Sequence, residues 1–413
     1  MGTPLGSGRP HRGRWREWAR ENERILAICG STILVMAGQG ITGPILPLYA
    51  RSFDVSTATV GLTITVFAFA RLLVNLPAGT MADRHGRRLL LVGGPLVLSL
   101  GMIGSGLSVT IWDLLAWRFV AGAGSALYMT GAQLYILDVS SPDRRGRNLS
   151  YNSGALLAGL AIGPAIGGIV AELTNFRVPF LLVGGLAVGA AAYSYLRLDE
   201  SLGARRVPAP SSGDEPAPAP TWSFLGSSTY LAICFMSLAM FATRSGTRAT
   251  LVPLLGTDEF GLSEGELGAL LGATASIGLI LIGPAGFAAD RIGRKRTIVP
   301  TGLAAAAGTF AIALSPSVAW LTASLFLLSF GTSVTGPAQY ALVADIASEE
   351  QRGRALGVYR SAGDVGFLIA PPFLGWLSDA TSIDTALVVN GCLVAGAALI
   401  VLVVAREPTR PFR

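Results

Sequence analysis

Six charged side chains stand inside long apolar runs of this chain: Arg71, Arg118, Arg244, Arg248, Arg360 and Asp364. A charge withdrawn from water in such a run is costly, so it marks a candidate site by default. Asp364 is the one carboxyl well inside a run, and burial or a nearby cation can move such a group between its charged and neutral forms. That is the chemistry of a proton switch. Arg360 and Asp364 are four residues apart, so an ion pair within one helix is the simpler alternative. Asp138, Asp345 and Glu172 lie nearer the ends of runs.

The residues of catalysis are missing. No nucleophile–base set, phosphate loop or metal cluster stands out, so an enzyme is not expected, nor a cofactor or a metal. His11 and His85 fall in loops and are too few to hold a metal. Cys29, Cys234 and Cys392 fall in three different runs, where a small polarizable side chain packs, and no disulfide is expected.

The elements that position these charges belong to a membrane. Of 413 residues 51% are hydrophobic and only 14% charged, with mean hydropathy +0.56, against the usual quarter charged in soluble domains. Twelve runs reach the roughly 20 residues that a spanning helix needs: about 26–50, 57–80, 89–110, 112–137, 149–172, 178–197, 223–254, 263–287, 297–314, 318–344, 356–378 and 384–405. The fold class is therefore all-α, with twelve transmembrane helices. Placing both termini in the cytoplasm puts 24 of the 31 Lys and Arg on the cytoplasmic side, as the retention of cationic loops requires. The net charge of +6 then follows from topology and anionic lipid headgroups and calls for no nucleic acid. With Lys as rare as this, the composition fits a bacterial inner membrane.

One short stretch occurs twice. Gly79, Asp83, Arg84, Gly86, Arg87 and Arg88 return as Gly286, Asp290, Arg291, Gly293, Arg294 and Lys295, each shifted by 207 residues. The offset also relates Asp138 to Asp345, Gly159 to Gly366, Pro164 to Pro371 and Gly168 to Gly375. A constant offset of this kind implies two equivalent units, here a six-span bundle at 26–198 and another at 223–405. A tail at 1–25, with a short interfacial helix expected around Trp15 and Trp18, a Pro/Ala/Ser-rich linker at 199–222 and a tail at 406–413 complete the chain.

Span one carries Gly38, Gly40, Gly43, Pro44 and Pro47 in ten residues. Either its backbone is broken and lines a cavity, or the small residues permit a close helix crossing. Span five carries Gly159, Gly163, Pro164, Gly167 and Gly168. The expectation there is a bend or a tight seam, where a leucine at Gly163 or Gly167 blocks sliding while leaving expression nearly normal.

With these turns, the six-plus-six repeat and the central linker, the chain resembles the major facilitator superfamily from about residue 26 onward. Leu115 to Gly124, with Arg118 in it, is similar to that family's span-four motif, and Gly159 to Gly168 is similar to the motif of its drug:proton antiporters. The resemblance implies two pseudo-symmetric six-helix bundles rocking about a midplane site, which opens to one side at a time. It further implies that the Asp83 and Asp290 turns latch the cytoplasmic side. In the residues themselves, each of these carboxylates could cap a neighbouring helix N-terminus and bridge to Arg87 or Arg294.

Gln39, Tyr128, Gln133, Asn152, Gln339, Tyr340 and Tyr359 interrupt apolar runs and, with Arg244, are the expected cavity lining, bonding between helices being the alternative for each. Arg71, Arg118, Arg360, Asp364, Asp138 and Asp345 are the candidates for coupling and gating. In the fold that this resemblance implies, spans two and eleven meet across the bundles; Arg71 and Asp364 lie equally far from their cytoplasmic ends, roughly 12 Å deep, and are expected to pair when that side closes. The leading expectation is a monomeric, proton-driven exporter of a small amphipathic compound. An uptake carrier for a polar or anionic solute and a non-transporting sensor are the alternatives.

Overall fold

A computed structural model describes residues 23–141, 144–201, 222–348 and 351–407. The segment around Trp15 and Trp18, most of the linker and the last six residues lie outside the described residues.

The first half is six helices: α1 (Glu23–Arg51), α2 (Thr57–His85), α3 (Arg87–Gly106), α4 (Ile111–Val139), α5 (Arg145–Leu173) and α6 (Val178–Arg197). In the second half a 3-10 turn (Ser223–Gly226) leads into α7 (Ser228–Ala242), a π-helical segment (Thr243–Leu251) and α8 (Val252–Asp258), which together make span seven. Then follow α9 (Glu264–Ile292), α10 (Arg294–Ala313), α11 (Val318–Ile346), α12 (Arg352–Ala380) and α13 (Ile383–Val404). The twelve expected spans are thus present, and among the described residues no strand interrupts them. Among the described residues nine qualify as membrane-crossing on length and apolarity alone; the three that fall short carry Arg118, Arg244 with Arg248, and Arg360 with Asp364.

One face of the molecule carries the two glycine-bounded basic turns and is called here the motif face; the other is the far face. Helices entering from the far face begin on local caps. Ser56, Ser317 and Ser382 each accept a backbone N–H from three residues on, while Thr110 with Asp113 and Ser263 with Glu266 form reciprocal capping boxes. On the motif face, α3 and α10 begin instead at Gly86 (φ 95°) and Gly293 (φ 107°), with no side-chain cap from their own turn. Glu200 fills the role at the first, accepting the Arg87 and Arg88 amides at 2.9 and 3.1 Å, and Glu407 at the second, accepting the Lys295 amide at 3.2 Å. The positive φ at Gly86 and Gly293 is what favours glycine there, since the nearest atoms to a Cβ would be the ends of the flexible Glu200 and Glu407 side chains.

Helices close on one another through small residues, since lipid offers no hydrophobic drive to bring them together. The Cβ position of Gly163 lies 2.5 Å from the Cα of Gly40, and that of Gly167 lies 2.0 Å from the Ile41 carbonyl oxygen, so α1 and α5 touch backbone to backbone. Two expectations are corrected here. Span one is an unbroken helix through Pro44 and Pro47, and Gly38 and Gly40 serve helix crossings on Val183 and Gly163 rather than a cavity. The seam at Gly163 and Gly167 lies inside one bundle, so a leucine there forces apart two helices of the same unit instead of blocking a sliding surface.

The halves meet through α2 with α12 and α5 with α9. Toward the far face these contacts are tight. Gly61 lies against Pro371, Gly375 against Thr57, and Gly168 against Glu264 and Gly268. Toward the motif face the Cβ positions of Gly79, Gly154, Gly283, Gly286 and Gly357 have no neighbour within 4 Å. The cleft between the bundles therefore opens on the motif face.

Candidate transport site and gates

The centre of the cleft is built where α2, the π-helical segment and α12 come together. Thr65 donates to the Leu368 carbonyl at 2.6 Å and sets the register between α2 and α12. Counting from it at about 1.5 Å per residue, Arg71 lies roughly 9 Å toward the motif face, and Asp364 and Arg360 lie roughly 6 and 12 Å that way. Arg71 falls between the two. From the side of span seven, Gly246 packs on Ala370 and Leu374 and Phe241 packs on Gly363, which brings Arg244 to the level of the turn above Asp364. Arg71 is in electrostatic reach of Asp364, Arg244 and Arg360. Among the described residues no carboxylate oxygen lies within 4 Å of any of these three guanidinium groups. With the motif face open, then, neither the Arg71–Asp364 pair nor the Arg360–Asp364 pair is closed.

Arg244 owes its place to the π-helical turn, a distortion that frequents functional sites. Thr250 donates five residues back to Ser245 at 2.9 Å, and Asn390 of α13 donates to the hydroxyls of Thr243 and Thr247, 2.9 Å each, clamping the turn at both ends. Arg248, one turn on, is a scaffold residue: it donates to the Leu271 carbonyl at 3.3 Å and to Thr274 at 3.1 Å. Arg118 is buried between α4 and α2, with its Nε on the Thr63 carbonyl at 3.3 Å and its guanidinium 4.4 Å over the Phe67 ring, leaving Nη1 without a partner.

The polar residues expected to line a cavity divide into two groups. Gln133, Tyr340 and Arg244 are exposed, and Gln39 is half-buried with its amide on Ser125 at 2.8 Å. Tyr128 and Asn152 are buried inside the first bundle and share the Thr32 hydroxyl, at 2.9 and 2.7 Å. Tyr359 and Gln339 are buried in the second and bond to each other at 2.8 Å, with the Tyr340 ring edge-on to Tyr359 at 5.0 Å. These four bond helix to helix.

At the motif face, Arg87 bridges Asp83 at 2.9 Å and Asp138 at 2.7 Å. Arg294 bridges Asp290 and, at 3.2 Å, Asp345. Asp138 and Asp345 thus belong to the turns and not to the central cleft. Asp83 and Asp290 make the expected bridges, but among the described residues neither accepts a bond from a helix N-terminus; Glu200 and Glu407 do the capping. Of the other basic residues in the turns, Arg88 lies 4.5 Å over the Tyr195 ring, Arg291 lies 4.4 Å over Phe287, and Arg84 is exposed.

At the far face Asp379 of α12 accepts the backbone amides of Thr57 and Ala58, 2.9 Å each, and so caps α2 across the bundles. Glu172 of α5 stands in the matching place over α9, with a carboxylate oxygen 1.9 Å from the Cβ position of Gly265. The sequence held the signal for all four acids, because the 207-residue offset carries Glu172 onto Asp379 and Glu200 onto Glu407. Asn390 could have been found as Asn152 was, as an amide interrupting an apolar run.

Two six-helix units related by a repeat, closed at one face around a midplane cleft, are the architecture of an alternating-access carrier. The sequence matches the Major Facilitator Superfamily over residues 28–247 and again over 234–413. The chain belongs to that family and is a multi-pass membrane transporter. It is 24% identical over 372 residues to an uncharacterised transporter of the same type from Methanocaldococcus jannaschii, covering 86% of this chain and 92% of that one. Over 181 residues it is 31% identical to multidrug resistance protein 1 of Bacillus subtilis, a match that spans 44% of this chain and 46% of that protein. In fold it is similar to a bacterial homologue of the human lysosomal transporter Spinster, with TM-score 0.76 and 18% identity over 96% of this chain and 97% of that one.

Proposed function

We propose that the protein exports a small amphipathic compound in exchange for protons, driven by the proton gradient with no other cofactor, as a monomer in a bacterial inner membrane. The motif face and both termini are cytoplasmic in this reading, which the loop arginines favour. The observation that carries it is Asp364, the mid-span carboxyl, standing at the cleft in electrostatic reach of Arg71 on the other bundle and Arg360 on its own helix. Charged, Asp364 draws Arg71 across the cleft and holds the motif face shut. Protonated, it releases Arg71 and lets that face open to substrate. The glycine and proline pattern of α5 and the likeness to a multidrug resistance protein both favour export.

The test is flux in proteoliposomes under an imposed pH gradient. Proton-driven export is expected to be lost in Asp364→Asn while substrate binding is retained and inter-bundle distances shift toward the motif-face-open state. Wild-type flux with unchanged pH dependence in Asp364→Asn removes Asp364 as the coupling acid, and flux only down the opposite gradient makes the protein an uptake carrier.

A further inference from the structure

The central charges do not balance. Arg71 has Arg244, Arg360 and a single carboxyl, Asp364, in electrostatic reach, and none of the three guanidinium groups is within 4 Å of a carboxylate among the described residues. Arginine does not give up its proton to escape the cost, as a buried lysine can. The protein's other mid-span arginines have their own acceptors: Arg248 holds a carbonyl and a hydroxyl, and Arg118 holds a carbonyl and an aromatic face. Arg71 has its Nε buried with no hydrogen-bond partner, and Arg244 and Arg360 present exposed side chains in electrostatic reach of it. A π-helical turn clamped by Asn390 fixes Arg244 in that place.

Two aromatic side chains stand on the neighbouring turns. Phe241, one turn before Arg244, lies against Gly363, and Tyr340 is exposed beside Tyr359, the residue before Arg360. Guanidinium groups bind carboxylates and phosphates in pairs of parallel hydrogen bonds, and aromatic edges suit a planar apolar body.

We infer that the cleft between α2, the π-helical segment and α12 is a binding site for an amphipathic organic anion, held by Arg71, Arg244 and Arg360. The inference rests on the transport reading above and narrows it to substrates of negative charge. The bound anion takes the place of the missing counter-charge.

The experiment uses two xanthene dyes of similar size and opposite charge, carboxyfluorescein and rhodamine 123, with the purified full-length protein in neutral detergent and fluorescence anisotropy as the readout. Saturable binding of carboxyfluorescein, and none of rhodamine 123, is expected. Arg244→Gln is expected to weaken it about tenfold, the loss of one charge-assisted contact, and Arg244→Lys to restore most of it. Displacement of the dye by p-aminohippurate identifies a soluble anion as the ligand, whereas displacement only by a short-chain phosphatidylglycerol identifies a lipid headgroup. Either keeps the anion site. Preference for rhodamine 123, binding of neither dye, or equal affinity in Arg244→Gln and wild type overturns it. Because equilibrium binding needs no gradient, loss of proton-driven flux with dye binding intact counts against the export reading alone.

Discussion

Arg87 and Arg294 occupy equivalent positions in the repeat, yet their surroundings differ. The Arg87 and Asp138 side chains are 2% and 3% exposed, whereas Arg294 and Asp345 are 21% and 27% exposed. Asp83 and Asp290 are exposed to nearly the same degree, at 65% and 67%. The difference between the two turns therefore lies in the deeper pair. Arg87→Ala leaves Asp138 buried with, among the described residues, only the Ser201 hydroxyl as donor, an arrangement that costs about 3–5 kcal/mol. Arg294→Ala strips a pair that water already reaches, worth about 1 kcal/mol or less. Thermal unfolding of the two variants in detergent should show a clearly larger loss for Arg87→Ala. Equal losses would mean that solvent reaches Asp138 as freely as Asp345.

Among the elements, α5 presents two glycine faces with different duties. Gly163 and Gly167 meet α1 of the same bundle, and Gly168 meets Glu264 and Gly268 of α9 across the cleft. Gly163→Ala is expected to lower yield and thermal stability, because backbone 2.5 Å away cannot yield to a methyl group. Gly168→Ala is expected to fold nearly normally and to hold the far face ajar, which spin labels on the far ends of α5 and α9 would report as a longer distance. The opposite pattern would exchange the two roles. The sequence made these seams and all twelve spans legible, since apolar runs bounded by basic turns and glycines at four-residue spacing are local features. It did not reveal the π-helical turn, because hydrophobic periodicity does not separate a bond to the fifth residue back from one to the fourth over nine residues. Nor did it show that the caps of α3 and α10 come from 113 and 112 residues away; no local capping rule reaches that far, although the repeat offset does.

At the scale of the molecule the charges obey a simple division. Those in the rims lie on the repeat: Asp83 with Asp290, Arg87 with Arg294, Asp138 with Asp345, Glu172 with Asp379, and Glu200 with Glu407. Those in the middle lie off it, since the offset carries Arg71 onto Gly278, Arg118 onto Leu325, Arg244 onto Ala37, Arg360 onto Ser153 and Asp364 onto Leu157. Structure is symmetric and the proposed site is not. The far-face seal adds a dependence on pH. Burial pushes the carboxyl of Asp379, just beyond the apolar run of span eleven, upward; its bonds from the Thr57 hydroxyl and the Thr57 and Ala58 amides, with Arg51 nearby, outweigh this and hold it below the usual value of 3.8. A lowered carboxyl stabilises the capped state in full above 3.8 and loses that contribution as the pH falls through the lower value. Far-face labels on α2 and α12 should therefore stay close at neutral pH and separate only in strong acid. Asp379→Asn should show the acid-like distance at every pH, and an unchanged distance in that variant would leave the seal to packing alone.

That packing has a bearing on speed. Where Gly61 meets Pro371, Gly375 meets Thr57 and Gly168 meets Glu264, the Cβ positions lie 2.2 to 2.5 Å from main-chain atoms of the opposite bundle. At these three crossings main chain meets main chain, so no rotamer hop on the picosecond to nanosecond scale can open them. Only whole helices moving apart can do so, on a scale of about microseconds to milliseconds. The far door thus sets a clock for the carrier, and no improvement in substrate affinity can make a transport cycle run faster than two helices can part and meet again.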